Sequence, residues 1–173
     1  MGNFKEQLHK IKAFIFDVDG VFTNSNVFLH PGGDMMRSMN IKDGYAVQYA
    51  VKKGYIVGII SGGDSESVRM RFQRLGVTDI YLKSSHKIGD FDDMMYKYQL
   101  SSEEILYMGD DIPDFEAMKK SGIATCPADA VPEIKAISDY ISDKDGGRGC
   151  VRDIIEQVLK LQGNWLHVDA YKW

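Results

Sequence analysis

The chain has 173 residues, 44% of them hydrophobic and 27% charged, proportions of a soluble globular protein and not of a disordered one. Its 21 basic and 25 acidic residues leave a formal charge of −4 with no Lys/Arg block, which argues against nucleic acid as a partner. The apolar runs are strand-sized, so no membrane span is expected, and Cys126 and Cys150 are too few for a disulfide framework or a zinc knuckle and suit a reducing compartment.

This length suits one α/β domain over residues 1–173. The N-terminal MGNFKEQLHK has no apolar signal region, and although Gly2 follows Met1, Glu6 stands where a myristoylation signal takes Ser or Thr. A cytoplasmic protein is expected. Short β-rich runs then alternate with helix-period segments, the pattern of a doubly wound, mainly parallel (Rossmann-like) sheet with helices on both faces. Strands are predicted at 13–16, 55–60, 79–82, 105–108 and 122–125. Helices are predicted at 43–53, ending at Gly54, at 65–75, ending at Gly76, at 88–98 and at 114–121. Val151, Ile154, Ile155, Val158 and Leu159 fall at i, i+3, i+4, i+7 and i+8 of a final amphipathic helix. One segment breaks the alternation: 26–29 and 35–39 flank Pro31-Gly32-Gly33-Asp34 and read as a β-hairpin flap after the first strand.

The chemistry starts where the first strand ends, at Asp17 and Asp19, followed by Gly20. Ligands of open α/β sheets gather at the carboxyl ends of strands, so both carboxylates arrive where a site belongs. A calcium loop does not fit, because its fifth and twelfth positions fall at Val21 and Phe28, which offer no side-chain ligand. A second acidic cluster, Gly109-Asp110-Asp111-Ile112-Pro113-Asp114, follows another apolar strand. Carboxylates gathered without a counter-charge raise one another's pKa, and a hard divalent cation resolves this; magnesium is the expected cofactor, with no His/Cys set to favour zinc. Ser61, Gly62 and Gly63 offer a hydroxyl and backbone N–H donors to phosphate oxygens, and Lys87 offers positive charge to a transferring group.

The order Asp-x-Asp-Gly-Val-x-Thr from Asp17 to Thr23, then Ser61, then Lys87, then Gly-Asp-Asp-x-x-Asp from Gly109 to Asp114 resembles the haloacid dehalogenase superfamily over nearly the whole chain. The resemblance implies a phosphatase in which Asp17 is the nucleophile and Asp19 the general acid and base, with Ser61 and Lys87 completing the catalytic set. It places the metal on Asp17, on the main-chain carbonyl of Asp19 and on Asp110, with Asp111 and Asp114 orienting the metal waters and Lys87. The gaps between motifs leave no room for a cap domain.

Within the superfamily the hairpin, the stretch from Asn40 to Gly44 and the Gly146-Gly147-Arg148-Gly149 segment resemble the phosphatases of 2-keto-3-deoxy-octulosonate 8-phosphate, which are homotetramers. This likeness implies an anionic sugar-phosphate substrate bound by Asp19, Asn40, Ile41, Lys42, Asp43, Gly44, Gly62, Gly63, Arg71, Lys87 and Arg148. Arg148 is expected near a neighbour's cleft, its flanking glycines allowing close approach to another chain, and the hairpin residues Val27, Phe28, Leu29, Met35, Met36 and Met39 are expected in the subunit interface. Many such relatives carry Arg where this chain has Gly63, which keeps the nine-carbon KDN 9-phosphate as an alternative substrate. Two readings of other classes stand beside the phosphatase: a receiver-like phosphoacceptor module and an inactive oligomerisation domain.

Overall fold

The computed structural model describes residues 4–33 and 35–172; Met1, Gly2 and Asp34 of the expected hairpin turn lie outside them. After a short helix α1 (Phe4–Gln7) the first strand, β1 (Ala13–Phe16), enters the centre of a six-stranded sheet. Its partners are β4 (Ile56–Ile60), β5 (Asp79–Tyr81), β6 (Ile105–Met108), β7 (Ile123–Cys126) and β8 (Tyr140–Ile141). The order is β5-β4-β1-β6-β7-β8, every adjacent pair parallel. Such a sheet is covered on both faces, which is why its strands read as continuous apolar runs.

Side chains alternate across it. Phe14, Phe16, Val57, Ile59, Leu106 and Met108 pack with α2 (Ile41–Lys52), α3 (Glu66–Arg74) and α7 (Cys150–Leu161) on one face. Ala13, Ile15, Ile60, Ile105 and Tyr107 pack with α4 (Lys87–Tyr98), α5 (Phe115–Lys120) and α6 (Pro132–Ile137) on the other. The stripe on α7 is buried throughout. Gly54 and Gly76 both take positive φ, +87° and +85°, where α2 and α3 end.

The flap is shorter than the sequence suggests. Only β2 (Phe28–Leu29) and β3 (Met35–Met36) pair, antiparallel, while Met39 turns back to pack on the core and leaves the exposed ribbon. α5 starts at Phe115 because Ile112–Asp114 forms a 3₁₀ turn before it, with Asp111 as its cap. α6 and β8 were not predicted. α6 has six residues and one buried side chain, Ile134, too few for a period to show. No cap domain interrupts the sheet among the described residues, and no helix there is long and apolar enough to cross a membrane.

Candidate active site

The strand order brings the motifs together. β4 and β6 flank β1, so the residues following their carboxyl ends, Ser61 and Asp110, stand on either side of Asp17. The Asp17 N–H donates to the Met108 carbonyl at 3.0 Å, carrying the ladder one residue beyond β1 and fixing the backbone beneath its carboxylate. Lys87 is the first residue of α4. A cleft of about 420 Å³ is lined by Asp17, Asp19, Ser61, Gly62, Gly63, Lys87, Asp110, Asp111 and Asp114, among others.

At its floor Lys87 Nζ lies 2.8 Å from Asp17 Oδ1 and 2.7 Å from Asp114 Oδ1. The Tyr107 hydroxyl donates to the same Asp114 oxygen at 2.8 Å, and the Asp110 and Asp111 N–H groups donate to Asp114 Oδ2 at 3.2 and 3.5 Å. Asp114 is thus saturated. Asp110 Oδ1, in contrast, is buried with no hydrogen-bond partner among the described residues. Burial, then the charge of Asp114, push the Asp17 carboxyl up to about 7 against the pull of Lys87. Burial, then Asp17 and Asp114, push Asp110 up to about 8. Burial favours the neutral amine of Lys87, but Asp17 and Asp114 outweigh it and hold Lys87 above its ordinary value. Burial keeps the Tyr107 phenol far above its ordinary value, so it stays a donor.

This is a site short of positive charge. Asp17, Asp110 and Asp114 each place one oxygen within 4.8 Å of the others, an all-oxygen set suited to a hard divalent cation. The orphaned Asp110 oxygen and the two raised carboxyls are what such a cation would satisfy. Gly20 makes the cluster possible: its φ is +88°, and a Cβ there would stand 1.9 Å from Asp110 Oδ2.

The Asp19 side chain is outside this cluster. Both its oxygens accept from Arg37, Oδ1 from Nε at 2.6 Å and Oδ2 from Nη2 at 2.9 Å. Sequence reasoning missed Arg37, whose only signal was a lone charge within the apolar ribbon Met35-Met36-Arg37-Ser38-Met39. It also missed Tyr107, which reads simply as a core residue of its strand. The Ser61 hydroxyl accepts from the Gly63 N–H at 3.2 Å.

The remaining expected substrate residues do not line the Asp17 cleft within this chain. Asn40 caps α2 by accepting from the Lys42 N–H at 2.8 Å, and Asn40, Lys42 and Arg148 line a second cleft, of about 470 Å³, between the starts of α2 and α7. Ile41 is exposed, and Asp43 is buried, accepting from the Arg152 N–H at 2.8 Å. Arg71 lies over Gly44, where a Cβ would stand 2.2 Å from its Nη2. Gly146 and Gly147 pack on Gly20 and Thr23 of the same chain, which accounts for both glycines within the fold, while Arg148 is exposed.

A doubly wound parallel sheet with a buried aspartate paired to a lysine and a late acidic cluster at its carboxyl edge defines a phosphoryl-handling hydrolase. Residues 64–154 match the model of the haloacid dehalogenase-like hydrolases, and the chain belongs to that family. It is 34% identical over 153 residues to the 3-deoxy-D-manno-octulosonate 8-phosphate phosphatase of Escherichia coli K12, covering 88% of this chain and 81% of that protein. The enzyme of the same name from Yersinia pestis is 30% identical over 152 residues, with the same coverage. The structure of the Moraxella catarrhalis phosphatase of this name in complex with magnesium, phosphate and KDO superposes with a TM-score of 0.90 at 30% identity, covering 96% of this chain and 94% of that one. This family membership sets the receiver-like reading aside.

Proposed function

We propose that this chain is a magnesium-dependent phosphatase of a 2-keto-3-deoxy sugar acid phosphate, 3-deoxy-D-manno-octulosonate 8-phosphate, giving the free sugar acid and phosphate. The observation that carries the reading is Asp17 on the cleft floor, 2.8 Å from Lys87 and clustered with Asp110 and Asp114, in the cleft that Asp19 also lines. Similarity to proteins named for that substrate supports its identity.

In this reading Asp17 attacks phosphorus, the ester P–O bond breaks, and an aspartyl phosphate replaces one difficult step by two easier ones. Asp19 gives a proton to the departing sugar oxygen and takes one from the water that cleaves the aspartyl phosphate, so both carboxylates end as they began. Lys87 orients Asp17 and supplies positive charge, while the Ser61 hydroxyl and the N–H groups at Gly62 and Gly63 offer donors to phosphoryl oxygens. Magnesium, held by Asp17, Asp110 and the Asp19 carbonyl, would neutralise the charge of phosphoryl group and nucleophile together.

The chain works as a single capless domain in the cytoplasm, and as a homotetramer. Phe28, Leu29 and Met36 are 62%, 78% and 54% exposed, more apolar surface than an isolated two-stranded ribbon should present to water, and a second copy covers it. Asn40, Lys42 and Arg148 then serve a substrate that spans from one cleft toward the next. Phosphate release is measured across a panel of sugar phosphates. The eight-carbon keto-deoxy acid should lead in kcat/KM, the nine-carbon acid in first place would move the substrate assignment, and hexose phosphates ahead of both would defeat it. No release from any ester would leave an oligomerisation module. Light scattering showing a monomer at micromolar concentration would refute the assembly.

A further inference from the structure

We propose that Arg37, delivered by the hairpin, is the positioning residue for Asp19, an inference that rests on the reading of Asp19 as proton donor and acceptor. Arg37 follows β3 directly, and all three of its guanidinium nitrogens are engaged. Nε and Nη2 fork onto the two Asp19 oxygens at 2.6 and 2.9 Å, and Nη1 donates to the Met35 carbonyl at 2.8 Å, tying the fork to the hairpin's own backbone. The Arg37 side chain is only 6% exposed, whereas that of Asp19 keeps 35% and lines the Asp17 cleft. Arg37 lines a small gap with Val18, Ser61, Gly63, Val68 and Leu82 and does not line the Asp17 cleft, so it meets Asp19 and not the substrate space.

A cation this buried is costly unless paired, and among the described residues Asp19 is the only carboxylate it pairs with. The contact is thus built in. Gly63 completes it, because a Cβ at that position would stand 3.1 Å from Arg37 Nη2 and 3.4 Å from Asp19 Oδ2, crowding the fork. Two parallel N–H···O bonds fix both the rotamer and the plane of a carboxylate, and each oxygen keeps a second lone pair on which a proton can sit. Without the fork Asp19 is free to rotate, and a misplacement of about 1 Å can cost about 10²-fold in rate.

The test compares two leaving groups. An alkoxide such as a sugar oxygen needs a proton as it departs; p-nitrophenolate does not. For Arg37→Ala, kcat/KM on the sugar acid phosphate should fall about 30-fold or more, while kcat/KM on p-nitrophenyl phosphate falls by less than about 3-fold, the retained aryl activity also showing that the protein is folded. Arg37→Lys, which keeps the charge but loses the fork, should lie between, and it carries the same ratio if Arg37→Ala does not fold. Asp19→Asn should show the same selective loss in deeper form, with Arg37→Ala adding nothing in that background. Equal loss on both esters in the Arg37 variants, with Asp19→Asn still selective, overturns the role of Arg37 and leaves the reading of Asp19 standing. An unselective Asp19→Asn overturns that reading and this inference with it.

Discussion

Neutralising Asp110 should stabilise the metal-free protein at alkaline pH. The Asp110 carboxyl lies at about 8 and that of Asp17 at about 7, both raised from 3.8 by burial first and by neighbouring carboxylates next. A folded-state value above the unfolded one means that the folded chain holds protons which the unfolded chain has released. That contribution is complete below pH 3.8 and is lost as pH rises through about 7 and then about 8. A carboxyl moved from 3.8 to about 8 corresponds to at most about 6 kcal/mol. Partial exposure of Asp110 screens this to a few kcal/mol, roughly 10 °C in Tm for a chain of this length. Scanning calorimetry in chelator from pH 5 to 8.5 reads it directly. The wild type should lose about that much Tm across the range, Asp110→Asn should lose less because only the Asp17 share remains, and the variant should melt higher at the alkaline end. Magnesium should restore the wild type there and do little for the variant. A flat wild-type profile in chelator, or a variant that melts below the wild type at pH 8.5 without metal, would refute the account of the cluster as short of positive charge.

Three further outcomes follow from the same geometry. Asp17→Asn should abolish steady-state turnover with the fold intact, since an amide cannot serve as this nucleophile; appreciable activity with near-native circular dichroism would remove the covalent step. Lys87→Ala should cost about 3–5 kcal/mol in urea unfolding, because it leaves the buried Asp17 and Asp114 carboxylates without their shared cation, and an unchanged midpoint and slope would contradict the burial argument. Gly20→Ala should cost about 2 kcal/mol or more and weaken magnesium binding in titration calorimetry, given φ of +88° and the 1.9 Å approach to Asp110; native stability together with native affinity would argue against that close packing.

The strands that carry the chemistry were legible because a parallel sheet buried on both faces writes them as short apolar runs that stop abruptly at a polar residue. Ala13–Phe16 stops at Asp17 and Ile105–Met108 at Gly109-Asp110, both with the expected bounds. Gly54 and Gly76 marked two helix ends for an equally local reason, the positive φ each adopts. Asp17, Lys87 and the acidic cluster were therefore readable as parts. Their meeting was a matter of strand order: only with β4 and β6 on either side of β1 do Ser61 and Asp110 flank Asp17. Tyr107 and Arg37 show what local pattern cannot carry. Tyr107 sits in the strand like any core residue, and its function lies in a hydroxyl that reaches an aspartate seven positions on. Arg37 sits 18 residues beyond Asp19, at the base of a ribbon whose fold-back turns it onto the carboxylate. The same holds for Asn40 and Lys42, read from sequence as part of the sugar-acid pocket and found beside Arg148 in the second cleft. Sequence determines which residues end each element, because propensity and periodicity act over a few positions. Which of those ends face one another is decided by the packing of the whole sheet, where contacts between residues far apart in the chain outweigh local preference.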